Sequence, residues 1–438
     1  MNGSATRRAF LKDSAALATA MALGAEIGVG AQEAPKTVRV GMVGVGNRGT
    51  ALLGTLLSLP GVEIPAVCDI NEANAKRAQG MVEGKRGKTP ELYVKGDRDW
   101  ENLCTRDDLD AVITATPWEW HTPVMLAAMR ADKYGGTEVP AALTLDGCWA
   151  LVKTSEETGK PCMMLENVNY FENVLAVMRM VREGVLGEML HFQAGYQHEC
   201  RSYYFTDAGE LTWRGKHLAE KNGNLYPTHP IGPIAWWANV NRGDRFVSLS
   251  SVSTKSRGLK DYATEKFGPD HPLSKREYAM GDVNTSTLRT EKGLTVTLYF
   301  DMCTPRPYDL IFRVQGTKGL LMVGNDKAYI EGLSPEKDAW EPFEPYVKKY
   351  AHPLWTDLET EAVKNGGHGG GDYIVVQQFI EAVRRGFQTP QDVYDAATWS
   401  AIVPLSMDSV AKNGGLVEFP DFTRGKWETN AAIPIHRA

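Results

Sequence analysis

The sequence predicts an α/β protein in two parts. The first is an N-terminal Rossmann dinucleotide-binding domain over residues 36–168; the second is an α+β substrate-binding domain over residues 169–438 with a largely antiparallel sheet. Three observations carry this prediction. A short apolar run, Val38 to Val43, enters the spaced glycines Gly44, Gly46 and Gly49 and passes into helical apolar spacing from Thr50 to Leu59. A second apolar run, Val62 to Ile70, reaches Asp69, twenty residues past Gly49. In the second part the pattern changes to runs alternating apolar with polar residues, as antiparallel strands with one buried face require.

Taken in order, the chain opens with Thr6 to Lys12 (TRRAFLK), a mild apolar stretch from Ala15 to Gly30, and small residues at Val29-Gly30-Ala31. This pattern predicts a twin-arginine export signal over residues 1–31, too short and too alanine-rich in its apolar part for a membrane span. The expected location is periplasmic or secreted. An exported dinucleotide enzyme has no substantial NAD pool to exchange with, so export favours a reaction that borrows a hydride and returns it.

The strand, turn and helix around Gly44 place phosphates at a helix N-terminus. Gly44 permits the tight turn, Gly46 lets a pyrophosphate approach the backbone, and Gly49 lets helix pack on strand. A carboxylate at Asp69 accepts hydrogen bonds from both ribose hydroxyls and repels a 2′-phosphate, which predicts NAD rather than NADP. A helix capped by Asn71 runs to Val82, followed by a Lys- and Gly-rich surface segment, Glu83 to Thr89. Asp110 to Thr116 is a buried strand ending in Pro117-Trp118-Glu119-Trp120-His121, where open α/β sheets place ligands. His121 either caps the next helix, Pro123 to Arg130, or touches the cofactor. Gly136 to Pro140 leads to a helix over Thr144 to Thr158, and Pro161 to Glu166 is a further strand.

The second domain starts near Asn169 with a helix, Val174 to Glu183. Alternating runs follow over 191–197, 246–254, 285–289, 295–302, 311–315 and 320–323, and helices over 373–385 and 396–411 are expected to return to the first domain. Gly366 to Gly371 (GGHGGG) is a loop, either a lid or, more simply, a connector.

Composition excludes several classes. A 43% hydrophobic, 23% charged chain is an ordinary globule, and a net charge of -6 gives no footprint for nucleic acid. No later apolar run approaches spanning length. Of six cysteines, Cys68, Cys148 and Cys162 stand in apolar contexts and are expected as buried free thiols; no spacing suggests zinc, and His198-Glu199-Cys200 alone makes no metal set.

The order of glycine turn, acidic strand end, DAV-x-x-A-T-P strand and PCMMLEN strand resembles the sugar oxidoreductases that include glucose-fructose oxidoreductase and inositol dehydrogenase. Those carry Glu-Lys-Pro, with lysine as general acid/base, where this chain has Glu138-Val139-Pro140. Longer segments are similar to glycoside hydrolase family 109: Trp118 to His121, Glu138 to Ala142, Met163 to Val168, Asn222 to His229, Asn241 to Phe246, Asp395-Ala396-Ala397 and Pro420 to Thr423. One departure is Pro230-Ile231-Gly232-Pro233 where that family usually continues Gly-Leu-Gly-Pro.

The family resemblance implies NAD-dependent hydrolysis of terminal α-N-acetylgalactosaminides. The sugar C3 hydroxyl is oxidised, the aglycone leaves C1 by elimination across C1 and C2, water adds, and the hydride returns. No metal or carboxylate pair is obligatory. By motif match Asn47, Arg48, Asp69, Trp118, Glu119, Trp120, His121, Glu138, Val139 and Asn167 contact NAD, while Tyr196, Arg214, Tyr226, Pro227, Thr228, His229 and Tyr308 line the sugar site. His229 is the first candidate for proton transfer at C3 and Tyr170 a candidate second base. Packing roles stay open for Tyr196, Tyr170 and His229, a surface ion pair for Arg214 and a fixed turn for Tyr308. The competing expectation is an exported sugar oxidoreductase with captive nicotinamide cofactor. A homo-oligomer is expected by analogy.

Overall fold

The structure is a computed structural model and describes residues 36–433; the expected export signal lies outside them. Strands β1 (Val38–Val43), β2 (Val62–Cys68), β3 (Glu91–Tyr93), β4 (Ala111–Thr114), β5 (Tyr134–Thr137) and β6 (Cys162–Met164) form a six-stranded sheet in the order β3-β2-β1-β4-β5-β6. Every pairing is parallel. Both faces are covered by helices, which is why β1, β4 and β6 are almost uniformly apolar and buried. Register places Val43 opposite both Cys68 and Thr114, so the residues following β1, β2 and β4 meet at one edge.

Strand β5 has no apolar signature, and the sequence shows Gly136 to Pro140 only as the lead into the next helix. Glycine is there for space: a Cβ on Gly135 would lie 2.8 Å from the Met125 sulfur, and one on Gly136 would lie 3.0 Å from Ile113 and 3.2 Å from Phe379. The helix between β2 and β3 also runs further than expected, over Glu72–Arg86, with the Asn71 side chain accepting from Ala73 N and Gly87 closing it in the left-handed region.

The second sheet has eight strands: β7 (Met189–Gln197), β8 (Phe246–Ser253), β9 (Asn284–Thr290), β10 (Thr295–Asp301), β11 (Arg313–Gly316), β12 (Gly319–Met322), β13 (Lys327–Ile330) and β14 (Val417–Glu418). Their order is β13-β12-β11-β7-β10-β9-β8-β14, and only β7 with β10 runs parallel. Alternation is clean in β9, where Ser286, Leu288 and Thr290 are buried while Thr287 and Arg289 are exposed. Strand β13 and the two-residue β14 carry too few residues to announce themselves.

The helices Gly371–Arg385 and Val393–Ala411 return to the first sheet. Phe379 packs under Gly136, and Ser400 Oγ accepts from Ala141 N at 3.0 Å. The second helix also underlies β8, where Ser409 Oγ accepts from Ser251 N at 2.7 Å. Its N-terminus carries a capping box of Asp392 and Asp395. Arg242 grips it with both guanidinium branches, at 2.7 and 2.8 Å from Asp395 and 2.8 Å from Asp392. The Asn241–Phe246 segment is thus a structural clamp. All six cysteines are free and buried, with burial pushing the Cys162 thiol up to about 12. Among the described residues no helix is long and apolar enough to cross a membrane.

Candidate active site

The glycine-rich turn lies where the first sheet's strand ends meet. Gly44 has φ of 80°, and a Cβ there would lie 2.9 Å from the Ala115 backbone; one on Gly49 would lie 1.9 Å from Gly44 O. Gly46 faces open space and caps the Asn47–Ser58 helix without a side-chain acceptor, so its first-turn amides are left for a ligand. Asp69 is anchored beside the turn, accepting from Val45 N and Asn71 N, each at 2.8 Å. An uncapped helix start, a cradle with no Cβ and a fixed carboxylate at the end of β2 fit a dinucleotide with free ribose hydroxyls.

Arg48 leaves this turn toward the second domain. Its Nε lies 2.7 Å from Glu138, and its two terminal nitrogens lie 2.8 and 2.9 Å from the two oxygens of Asp372. Asn167 donates to Asp372 at 2.7 Å, and His368 Nδ1 lies 2.9 Å from its other oxygen. Arg48, Glu138 and Asn167, matched from three separate motifs, therefore share one network with residues of the GGHGGG loop. Burial opposes the Asp372 charge, yet hydrogen bonds from His368 and Arg48 hold its carboxyl well below the usual carboxylate range. The same bond raises His368, whose side chain is 58% exposed. Gly369 and Gly370 adopt φ of 65° and 100°, so the loop's glycines turn the chain to present this histidine. Val139 is buried and offers no titratable group where the related oxidoreductases carry lysine.

The Trp118 to His121 segment divides. Trp118 stacks on Tyr226 at 5.6 Å and borders the sugar-side residues, and Glu119 lies 3.3 Å from His217. Trp120 packs against Trp100. His121 is fully buried: Nδ1 lies 2.7 Å from Pro140 O and Nε2 2.9 Å from Thr116 O, and burial lowers its pKa. It opens the His121–Arg130 helix with its ring tied to two loops. The expectation that its side chain caps the helix is corrected: the N-cap position is Trp120, without a side-chain hydrogen bond, and the His121 ring ties two loops together.

On the sugar side, the Thr228–Trp237 helix places His229 in its first turn, with Pro227 O accepting from Ile231 N at 3.0 Å. His229 Nδ1 lies 2.7 Å from Oε1 of Glu166, a carboxylate with no solvent exposure whose second oxygen has no partner. Gly232 makes this approach possible: a Cβ there would lie 2.4 Å from Asn169 Oδ1 and 3.0 Å from Glu166 Cγ. The neighbouring Ile231, part of the unusual Pro230-Ile231-Gly232-Pro233 run, is wholly within the core.

Around His229 the aromatic rings close. Tyr196 and Tyr226 lie 5.1 and 5.0 Å from its imidazole, and Tyr308 lies 5.9 Å from Tyr196. Arg214 lies over Trp213 at 4.8 Å and over Trp118 at 5.8 Å, with its Nε unpartnered. Tyr196 Oη and His198 Nδ1 are 3.2 Å apart. Burial raises the Tyr196, Tyr226 and Tyr308 phenols, so all three are donors. Thr228 is buried with its hydroxyl unpartnered.

Tyr170 does not belong to this group. It has no solvent exposure, packs edge-on against Trp236 at 5.4 Å, and its hydroxyl has no hydrogen-bond partner. Burial raises its phenol well above the ordinary value, the wrong direction for a base, so Tyr170 is a core residue. Glu199 is committed to Arg201 and Cys200 is buried, so the His198-Glu199-Cys200 run does not converge on a metal. Glu166, His368, Asp372 and Trp213 were absent from the sequence expectation. Glu166 ends a run that is otherwise a buried strand, and nothing in its spacing announces a partner 63 residues on.

Residues 170–429 match the family model "Glycosyl hydrolase 109, C-terminal domain", and residues 38–166 match "Oxidoreductase family, NAD-binding Rossmann fold". The chain is 42% identical to an alpha-N-acetylgalactosaminidase of Tannerella forsythia, covering 96% of this chain and 97% of that protein. It is 43% identical to a glycosyl hydrolase family 109 protein of Stenotrophomonas maltophilia, over 98% and 97% of the two chains. Among solved structures, levoglucosan dehydrogenase in complex with NADH superposes with a TM-score of 0.68 at 18% identity, over 88% of this chain and 100% of that one. The myo-inositol dehydrogenase of Lactobacillus casei gives 0.61 at 20% identity, over 88% and 97%. These structural likenesses establish a shared fold, and the sequence relatives go further: this chain belongs to glycosyl hydrolase family 109.

Proposed function

We propose that the protein is an exported NAD-dependent glycosidase that hydrolyses terminal α-N-acetylgalactosaminides or a related hexosaminide. The observation that carries the reading is the Glu166–His229 pair, set among Tyr196, Tyr226 and Tyr308 and one residue from Asn167, which belongs to the cofactor-side network. The Gly44–Gly49 turn and Asp69 would hold NAD, which when bound would supply reversible hydride acceptance at the sugar C3 and so make the net reaction hydrolysis.

The chain's own residues handle protons and position. Glu166 accepts from Nδ1 of His229, which leaves Nε2 as the acceptor for the C3 hydroxyl proton. Tyr196, Tyr226 and Tyr308 donate to sugar oxygens, and Arg214, whose Nε is unpartnered among the described residues, serves the acyl oxygen of the 2-acetamido group or the oxygen where negative charge develops. His368, whose proton is stabilised by Asp372, is placed to protonate the departing aglycone oxygen. Val139, in place of a lysine, argues against net oxidation of a free sugar as the physiological reaction.

The twin-arginine pattern at residues 6–12 supports export to the periplasm or beyond, with NAD already aboard. We propose a homo-oligomer, to be read by light scattering of the purified protein. The direct test is incubation of protein purified without added nucleotide with 4-nitrophenyl α-N-acetylgalactosaminide. Release of 4-nitrophenol is expected without added NAD; formation of a lactone from free sugar, with no glycoside cleavage, would favour the oxidoreductase.

A further inference from the structure

Tyr308 and His368 have a second neighbourhood. Both line a cleft of about 580 Å³ whose other walls include Phe343, Trp355, Glu172 and Glu344. Tyr308 also lies 5.9 Å from Tyr196 and 5.1 Å from His198, so one ring borders the sugar pocket and this cleft alike. We infer that the cleft receives the substrate's leaving group, and that it selects an apolar body carrying a positive charge over one carrying a carboxylate. The inference rests on the glycosidase reading and adds the chemistry of the aglycone.

Three features argue for it. The cleft begins at the histidine placed to protonate the departing oxygen, which is where an aglycone must lie. Its walls include the half-buried Phe171 ring and the exposed Tyr308 ring, and the buried Phe343 and Trp355 are also part of its lining. Aromatic walls suit an aryl or second-sugar group and favour a cation over an anion.

The charges facing the cleft are unequal. Glu344 is paired with Lys348, and Asp326 Oδ1 is taken by the amides of Phe343 and Glu344, at 3.0 and 2.8 Å. His368 is committed to Asp372. Glu172 has neither hydrogen bond nor ion pair among the described residues; burial, with Glu359 and Glu344 nearby, raises its carboxyl, and Lys348, already held by Glu344, only partly opposes this. A carboxylate in that position is stabilised by an incoming ammonium group and repels a second carboxylate.

The test titrates the NAD-loaded protein by calorimetry with two carbon-linked α-N-acetylgalactosaminyl arenes, which cannot lose their aglycone. One bears an aminomethyl group and the other a carboxylate at the far end of the ring. The aminomethyl compound is expected to bind about fivefold more tightly or better, and Glu172→Gln is expected to bring the two affinities together. Equal affinities in the wild type, no binding of either, or a preference untouched by Glu172→Gln would overturn the assignment. Release of 4-nitrophenol by the same preparation reports separately on the glycosidase reading, so the two can fail independently.

Discussion

His229 is useful as a base only if its imidazole is held in one orientation and one tautomer, and Glu166 does both from a position with no solvent exposure. Replacing His229 by Ala is expected to lower kcat by about 10²- to 10⁴-fold, the usual range for a lost general base. Glu166→Gln is expected to lower kcat far more than it changes KM, and to add little once His229 is Ala, because the two act as one unit. Steady-state kinetics of both single variants and the double variant check this. Tyr170→Phe is expected to leave kcat at the wild-type level and to shift stability by no more than about 1 kcal/mol, because the hydroxyl it removes has no partner. Thermal melts and kinetics of that one variant test its assignment to the core. At this scale the sequence names residues that a motif carries and misses those that only a contact identifies. Tyr226 and His229 lay in a recognisable segment, whereas Glu166 and Asp372 act across 63 and 324 residues, on His229 and Arg48 respectively.

Elements joined by buried charge are the second scale. The Val393–Ala411 helix is fixed at its start by Arg242, and Arg242→Ala leaves Asp395 buried without a counter-charge, with the Asn241 amide still donating to it at 3.2 Å. A loss of about 3–5 kcal/mol in unfolding free energy is expected from chemical denaturation. The GGHGGG loop is tied by the His368–Asp372 bond, and pH resolves its contribution. His368 is raised in the folded chain, so its contribution is present below the free imidazole value and is lost as pH rises through the folded value. Asp372 is depressed, so its own contribution is present above the free carboxylate value and is lost as pH falls. The destabilisation caused by His368→Gln is therefore expected to be largest near pH ~5 and to fade toward pH ~8, as thermal melts across that range will show. Periodicity made most elements legible, including β1, β2, β7, β9 and both returning helices. It failed at β5, where Gly135 and Gly136 answer to neighbours in other segments, and at β13 and β14, which are too short for a pattern to form.

Across the whole molecule, the ion pair from Arg48 to Asp372 joins the cofactor turn to the helix that follows the loop histidine, with Glu138 and Asn167 completing the link. Asp372→Asn removes the charge that holds Arg48 and His368 together. It is expected to let NAD be lost during purification, with activity restored by added NAD, and the nucleotide released on denaturation measures this. The two-part architecture was legible because each sheet type imposes its own periodicity. The latch between the parts was not, since it is built from single residues of unrelated segments.

The central claim is that the protein cleaves a glycoside by borrowing a hydride from C3 rather than by consuming NAD. The measurement that tests it most directly is hydrolysis of an α-N-acetylgalactosaminide in deuterated water by protein carrying only its own nucleotide, with the freed sugar analysed by NMR. Deuterium at C2, with many turnovers per bound NAD, is the predicted result. Hydrolysis that leaves C2 fully protonated, or turnover that stops after one equivalent of NAD, would contradict it.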